Sequence, residues 1–229
     1  LTLNGRAALY AAAIAQVLRP GDVVADLGCG FGVLGLQCLR AGAARVYGVD
    51  SSDALPIARE TMARAGHDQS YECIASSSFA CTLPGPVDLV ICDHVGWFGF
   101  DYHIIPMLED ARQRLLRPGG QVMPSRIALH AAGISGDGCA ALVDRWGQPP
   151  VPPEFAWLRE YEVNTKHPFE ANADDLCTAP AVLGDIDLTQ DSPPPLAFGA
   201  TLTATRSAIF RGIAGWFACE LAEGIWMSN

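Results

Sequence analysis

The chain has 229 residues, 50% apolar and 17% charged, which suits one large packed domain or two modest ones and excludes an intrinsically disordered chain. Its 25 acidic residues against 15 basic ones give a net charge of -10, so general electrostatics oppose binding to nucleic acid or an anionic membrane. Eight cysteines, at positions 29, 38, 73, 81, 92, 139, 177 and 219, never fall at the spacing of a zinc knuckle or redox pair. Several lie in apolar runs, so the expectation is free thiols in a reducing cytoplasm, with no metal site and no disulfide framework.

In chain order, Ala7 to Leu18 is Ala-rich, stops at Pro20-Gly21 and predicts a helix. Gln16 interrupts the run and distinguishes it from the apolar region of a signal peptide. No segment reaches the roughly 18 uninterrupted apolar residues of a membrane span, so a soluble protein is expected. Val23 to Leu27 predicts a buried strand, Gly28-Cys29-Gly30-Phe31-Gly32 a turn, and Val33 to Ala41 a helix ending near Gly42. Arg45 to Asp50 predicts a second strand closed by an acid, and Ala54 to Ala65 a helix closed by Gly66. Val87 to Cys92 reads as a third strand and Ile104 to Leu116 as a helix. Arg117-Pro118-Gly119-Gly120 then turns into Gln121 to Met123. This alternation predicts an α/β, doubly wound parallel sheet.

Around Pro124 the helical periodicity fades. Arg126 to His130, Ala181 to Leu188, Ala200 to Phe210 and Gly215 to Leu221 predict antiparallel strands. The proline-rich stretches Pro149-Pro150-Val151-Pro152-Pro153 and Pro193-Pro194-Pro195 read as loops. The expected organisation is a Rossmann-like domain over residues 1–124 and a β-rich, barrel-like domain over residues 125–229.

The strongest chemical signal is the strand-turn-helix around Gly28, Gly30 and Gly32, with Asp50 placed 18 residues after Gly32 at the end of the next strand. Glycines let the backbone turn sharply and let a ligand approach main-chain N–H groups, while an acid about 20 residues on can accept both hydroxyls of a ribose. Val33 stands where a dinucleotide fold wants a third glycine or alanine, which argues against a nicotinamide cofactor.

The run Asp26-Leu27-Gly28-Cys29-Gly30-Phe31-Gly32 resembles the first motif of class I S-adenosylmethionine-dependent methyltransferases, and the resemblance narrows to the protein arginine methyltransferases. It is carried by Arg6 followed by Tyr10, by the loop from Asp93 to Asp101, by Leu116 to Arg126, and by the β-rich half that follows. The resemblance implies S-adenosyl-L-methionine as cofactor, held by Arg6, Asp26, Gly28, Cys29, Gly30, Gly32, Asp50, Ser51, Ser77, Ser78, Phe79 and Asp93. Within that set it gives Arg6 the cofactor carboxylate, Asp50 the ribose, and Ser77, Ser78 and Phe79 the adenine; the glycine turn faces the amino-acid end. It also aligns Trp146 and Phe155 to Tyr161 with the family's dimerisation arm, making a homodimer an expectation. The chain starts after the family's N-terminal lid helix and stops before its Thr-His-Trp loop.

The family clamps the substrate guanidinium between two glutamates nine residues apart. Here Asp93 falls on the first and Tyr102 on the second, with Asp101 adjacent. A carboxylate pair of Asp93 and Asp101 would orient a guanidinium and polarise one nitrogen. His94 and His103 offer a different chemistry, a general base for an amine or hydroxyl of a small molecule. Asp93, Asp101, His94 and His103 are thus the candidate catalytic residues, and Trp97, Phe98 and Phe100 are candidates for the substrate pocket wall. Three readings stay open: a methyltransferase acting on a nitrogen acceptor such as a protein or peptide arginine, a small-molecule N- or O-methyltransferase, and a non-catalytic module of the same fold.

Overall fold

The computed structural model describes residues 3–191 and 196–229, so the loop expected at Pro193-Pro194-Pro195 lies outside the described residues. Helix α1 (Leu3–Val17) leads into β1 (Val23–Leu27), α2 (Val33–Arg40), β2 (Arg45–Asp50), α3 (Leu55–Arg64) and β3 (Tyr71–Ala75). Then come β4 (Val87–Cys92), α4 (Ile104–Arg114) and β5 (Leu116–Met123). The five strands form one parallel sheet in the order β3-β2-β1-β4-β5. Val24 to Leu27, Val46 to Val49 and Leu89 to Cys92 are buried without interruption, the pattern of central strands covered on both faces. The register aligns Leu27 with Val49 on one side and with Cys92 on the other, and Asp50 with Ala75, so the carboxyl ends of four strands lie together. The strand order reverses between β1 and β4. In open α/β sheets that reversal opens a crevice beyond the carboxyl ends.

Two expectations change here. Strand β3 was not predicted: it is an edge strand, only partly buried, and Tyr71 is its one fully buried residue. Residues 117 to 120 do not form a separate turn but belong to β5, with a register shift where it passes β4. An edge strand absorbs a proline and two glycines because one of its ladders is free.

Tyr71 also explains two glycines. A Cβ on Gly48 would lie 2.0 Å from its hydroxyl, and one on Gly35 would lie 2.4 Å from its ring, so the side chain fills space that only glycine leaves open. Beside it, Oδ2 of the buried Asp26 accepts the Gly35 N–H at 2.9 Å and ties β1 to the first turn of α2.

Later in the chain come β6 (Arg126–Ile134), α5 (Asp137–Asp144), α6 (Arg159–Glu162), β7 (Ala181–Asp187), β8 (Gly212–Ala222) and β9 (Ile225–Ser228). The second sheet is ordered β7-β6-β8-β9, with β8 and β9 an antiparallel pair turning at Gly224. The expected strand over Ala200 to Phe210 is absent. That stretch is exposed almost throughout and makes one isolated bridge, Thr178 to Ala204, because its alternation is of Thr and Ala and buries little apolar surface. The architecture is an α/β parallel sheet followed by an antiparallel β region.

Packing divides the chain into two compact units. Unit 1 is Leu1–Ala128, Asp185–Ala197 and Phe217–Asn229; unit 2 is Leu129–Gly184 and Phe198–Trp216. Residues Phe217–Asn229, the second part of β8 and all of β9, belong to the first unit, where the Ser125 N–H donates to the Glu220 carbonyl at 2.8 Å and the Leu188 N–H to the Ser125 carbonyl at 2.8 Å. Within unit 2, the Gly133 N–H donates to Thr178 Oγ1 at 2.7 Å, and Arg206 donates to the Leu176 and Asp174 carbonyls and to Ser135 Oγ. Among the described residues no helix is long and apolar enough to cross a membrane.

Candidate functional site

Everything that follows lies in unit 1. The Gly28 and Cys29 N–H groups both donate to the Val49 carbonyl, at 2.8 and 3.1 Å, which folds the chain sharply after β1. The Gly30 N–H then donates to Asp50 Oδ2 at 2.8 Å, and Asp50 Oδ1 accepts the Ser52 N–H at 2.7 Å. Burial works to raise the Asp50 pKa, but the Ser52 hydroxyl and N–H, the Gly30 N–H and the nearby His94 outweigh it and hold the carboxyl below its ordinary value. Asp50 is therefore an ionised acid at neutral pH, fixed against the turn. Asp26 behaves in the opposite way. Burial pushes it up to about 7, against the Gly35 hydrogen bond.

A cleft of about 270 Å³ opens at this place. Gly28 contributes from the end of β1, Asp50 and Ser51 from β2, Ser76, Ser77, Ser78 and Phe79 from beyond β3, and His94 from beyond β4. Tyr102, His103 and Met107, around the start of α4, complete the wall. His103 caps that helix with φ 64°, the one non-glycine residue with positive φ among the described residues.

The loop after β4 is held by distant partners. Arg6 Nη1 donates to both oxygens of Asp93, at 3.2 and 3.1 Å, and the buried Tyr10 hydroxyl reaches the Cys92 carbonyl at 2.8 Å and Asp93 Oδ1 at 3.3 Å. Burial raises the Asp93 pKa although Arg6 and Tyr10 oppose it. Farther along, the Asp101 carboxylate accepts the Phe98 N–H, and Asn229 donates to the Trp97 carbonyl at 2.8 Å while accepting the Phe217 N–H at 3.1 Å.

Residues 24–120 match the methyltransferase domain family. An arginine N(omega)-methyltransferase of Streptomyces achromogenes subsp. streptozoticus is 28% identical over 226 residues, covering 95% of this chain and 62% of the relative. Protein arginine N-methyltransferase 6 of Xenopus laevis is 26% identical over 212 residues, covering 86% of this chain and 61% of the relative. This chain thus spans about three fifths of the length of these two relatives. Among solved structures, the Trypanosoma brucei PRMT1 enzyme–prozyme heterotetrameric complex with AdoHcy superposes with a TM-score of 0.86 at 22% identity, covering 97% of this chain and 73% of the other. Protein arginine methyltransferase 10 of Arabidopsis thaliana gives 0.84 at 22% identity, covering 97% and 74%. The chain has a class I methyltransferase fold resembling the protein arginine methyltransferases.

Within this methyltransferase fold, Gly28, Asp50, Ser51, Ser77, Ser78, Phe79, His94 and His103 of the residues singled out from sequence line the cleft together. Gly30 shapes it through Asp50, and Gly32 donates to the Cys29 carbonyl at 2.8 Å inside the turn. Asp26 and Cys29 are buried in the turn rather than among the lining residues, and Arg6 and Asp93 are engaged with each other. Asp101 accepts the Phe98 N–H within its own loop. Trp97, Phe98 and Phe100 are not among the residues lining this cleft: Trp97 is exposed, and the two phenylalanines pack on each other with centroids 5.8 Å apart. Ser76, Met107 and the Asn229 tether went unnoticed in the sequence. Ser76 had a visible signal, a third serine adjoining Ser77 and Ser78; Asn229 had none.

Proposed function

We propose that the chain is an S-adenosylmethionine-dependent methyltransferase that transfers a methyl group to a nitrogen acceptor, with arginine, free or in a peptide, as the leading acceptor class. The observation that carries this is Asp50, an ionised carboxylate pinned beside the glycine turn at the point where the strand order reverses. The donor set fits the cofactor: Asp50 for the ribose hydroxyls, the serine run from Ser76 to Ser78 with Phe79 for the base, and the open face of Gly30 for close backbone approach. Arg6 adds a guanidinium suited to a carboxylate, and its pairing with Asp93 keeps it in place. When bound, the cofactor supplies a methyl group already made electrophilic by its sulfonium. The chain's own residues then need to align the nucleophile and exclude water.

The same reading extends to assembly and compartment. The segment from α5 to α6 presents Phe155, Trp157 and Tyr161 to solvent, which supports a homodimer formed through this arm. Light scattering after size exclusion is expected to give twice 24.3 kDa, and a monomer mass overturns the dimer. All eight cysteines are free thiols, in keeping with the cytoplasm.

A second reading, a small-molecule N- or O-methyltransferase using His94 or His103, is favoured by one observation. Asp93 is committed to Arg6 and Asp101 to the Phe98 N–H, while both histidines line the cleft. Labelled methyl transfer from S-adenosylmethionine to free arginine, an arginine peptide and a panel of small amines and alcohols separates the two readings. Product on arginine supports the first; product only on the small-molecule panel supports the second. Calorimetry with S-adenosylhomocysteine that gives no heat would sink both and leave a non-catalytic module.

A further inference from the structure

The imidazole of His94 rests directly on the α-carbon of Gly28. A Cβ built there would lie 1.8 Å from Cε1, 2.6 Å from Nε2 and 2.7 Å from Nδ1. The ring lines the cleft, yet its Nδ1 is enclosed and has no hydrogen-bond partner among the described residues. Buried polar nitrogens are almost always paired, so an unpaired one at a glycine turn marks a place that a ligand completes. Two carboxylates lie near the ring, Asp50 at the end of β2 and Asp93 just beyond β4. Asp93 already has Arg6 as its counter-ion, whereas Asp50 is held only by neutral donors. The surroundings of His94 therefore favour a positively charged group.

We propose that Nδ1 of His94 accepts a hydrogen bond from the α-ammonium of the bound cofactor, making His94 the binding residue for the cofactor's amino-acid end. This rests on the methyltransferase reading above. An ammonium has donors and no acceptor, and a neutral imidazole nitrogen without a proton is an acceptor with no donor, so each supplies what the other lacks. On the cofactor reading, with Asp50 on the ribose and the glycine turn toward the amino-acid end, His94 on Gly28 stands at that end.

The test is calorimetry with two ligands, S-adenosylhomocysteine and 5′-methylthioadenosine, which share a nucleoside but differ in the amino-acid end. His94→Phe keeps a flat ring over Gly28 and removes the nitrogen. It is expected to weaken S-adenosylhomocysteine about tenfold while leaving methylthioadenosine unchanged. His94→Asn, whose amide oxygen can stand near Nδ1, recovers most of the loss, and His94→Ala serves if the Phe variant does not melt cooperatively. Equal weakening of both ligands, or no weakening of either, overturns the proposal while the cofactor reading stands. A wild-type protein that binds neither ligand overturns the cofactor reading and this proposal together.

Discussion

The turn after β1 and the loop after β4 border the same cleft but are secured over different distances along the chain. Asp26 reaches Gly35 across 9 positions and Asp50 reaches Gly30 across 20. The loop, by contrast, depends on Tyr10 across 82 positions, Arg6 across 87 and Asn229 across 132. The first region closes by hydrogen bonds from backbone N–H groups to nearby carboxylates and carbonyls, which one strand-turn-helix can make within itself and its neighbour. The second takes its shape from whichever elements the fold delivers to it. The turn should therefore respond to substitutions in its own motif, and the loop to residues far away in sequence.

The largest expected effect tests the buried acid of the turn. The unfolded chain ionises Asp26 near its ordinary 3.8, whereas burial holds it protonated up to about 7 in the folded chain. Its contribution to stability is full below pH 4 and is lost as pH rises through 7. At about 1.4 kcal/mol per pH unit, Asp26→Asn should match the wild type near pH 4 and exceed it by roughly 3 to 4 kcal/mol near pH 8. Urea melts across that range check it, and parallel curves for the two proteins would remove the buried charge from the account. Next, Asp50→Ala should weaken S-adenosylhomocysteine by about 100-fold, near 3 kcal/mol, in calorimetry, with the melting temperature little changed. A loss under tenfold would mean that the turn does not depend on its acid.

Gly28→Ala places a Cβ into the His94 ring at a φ of +67°, and a loss of about 2 kcal/mol in chemical denaturation is expected. Adding His94→Ala should return only the steric part of that loss; full additivity would deny the contact between turn and loop. The smallest effect belongs to the far tether. Asn229→Ala should cost under about 1 kcal/mol and leave S-adenosylhomocysteine affinity unchanged, while the acceptor KM rises about threefold as the loop loosens. An equal shift in cofactor affinity would erase the difference between the two regions.

These contrasts track what could be read in advance. The glycine turn, Asp50 and the serines after β3 were legible because the same few residues set both the backbone path and the chemistry. Strand β3 was not, since an edge strand with one buried residue carries no alternating signal. Whether Asp101 pairs with Asp93 was not legible, because spacing in a loop says nothing about which N–H a carboxylate will meet first.

The amino-acid sequence alone determined the alternation of strands and helices, the turn that follows β1, and the acid that closes β2, because each is written in residues close together and enforced by local backbone geometry. Only the tertiary structure decided that Arg6 faces Asp93, that His94 settles on Gly28, and that residues Phe217–Asn229 belong to the first unit. Those contacts join residues far apart along the chain, and packing rather than local preference selects among the partners that charge and size would allow.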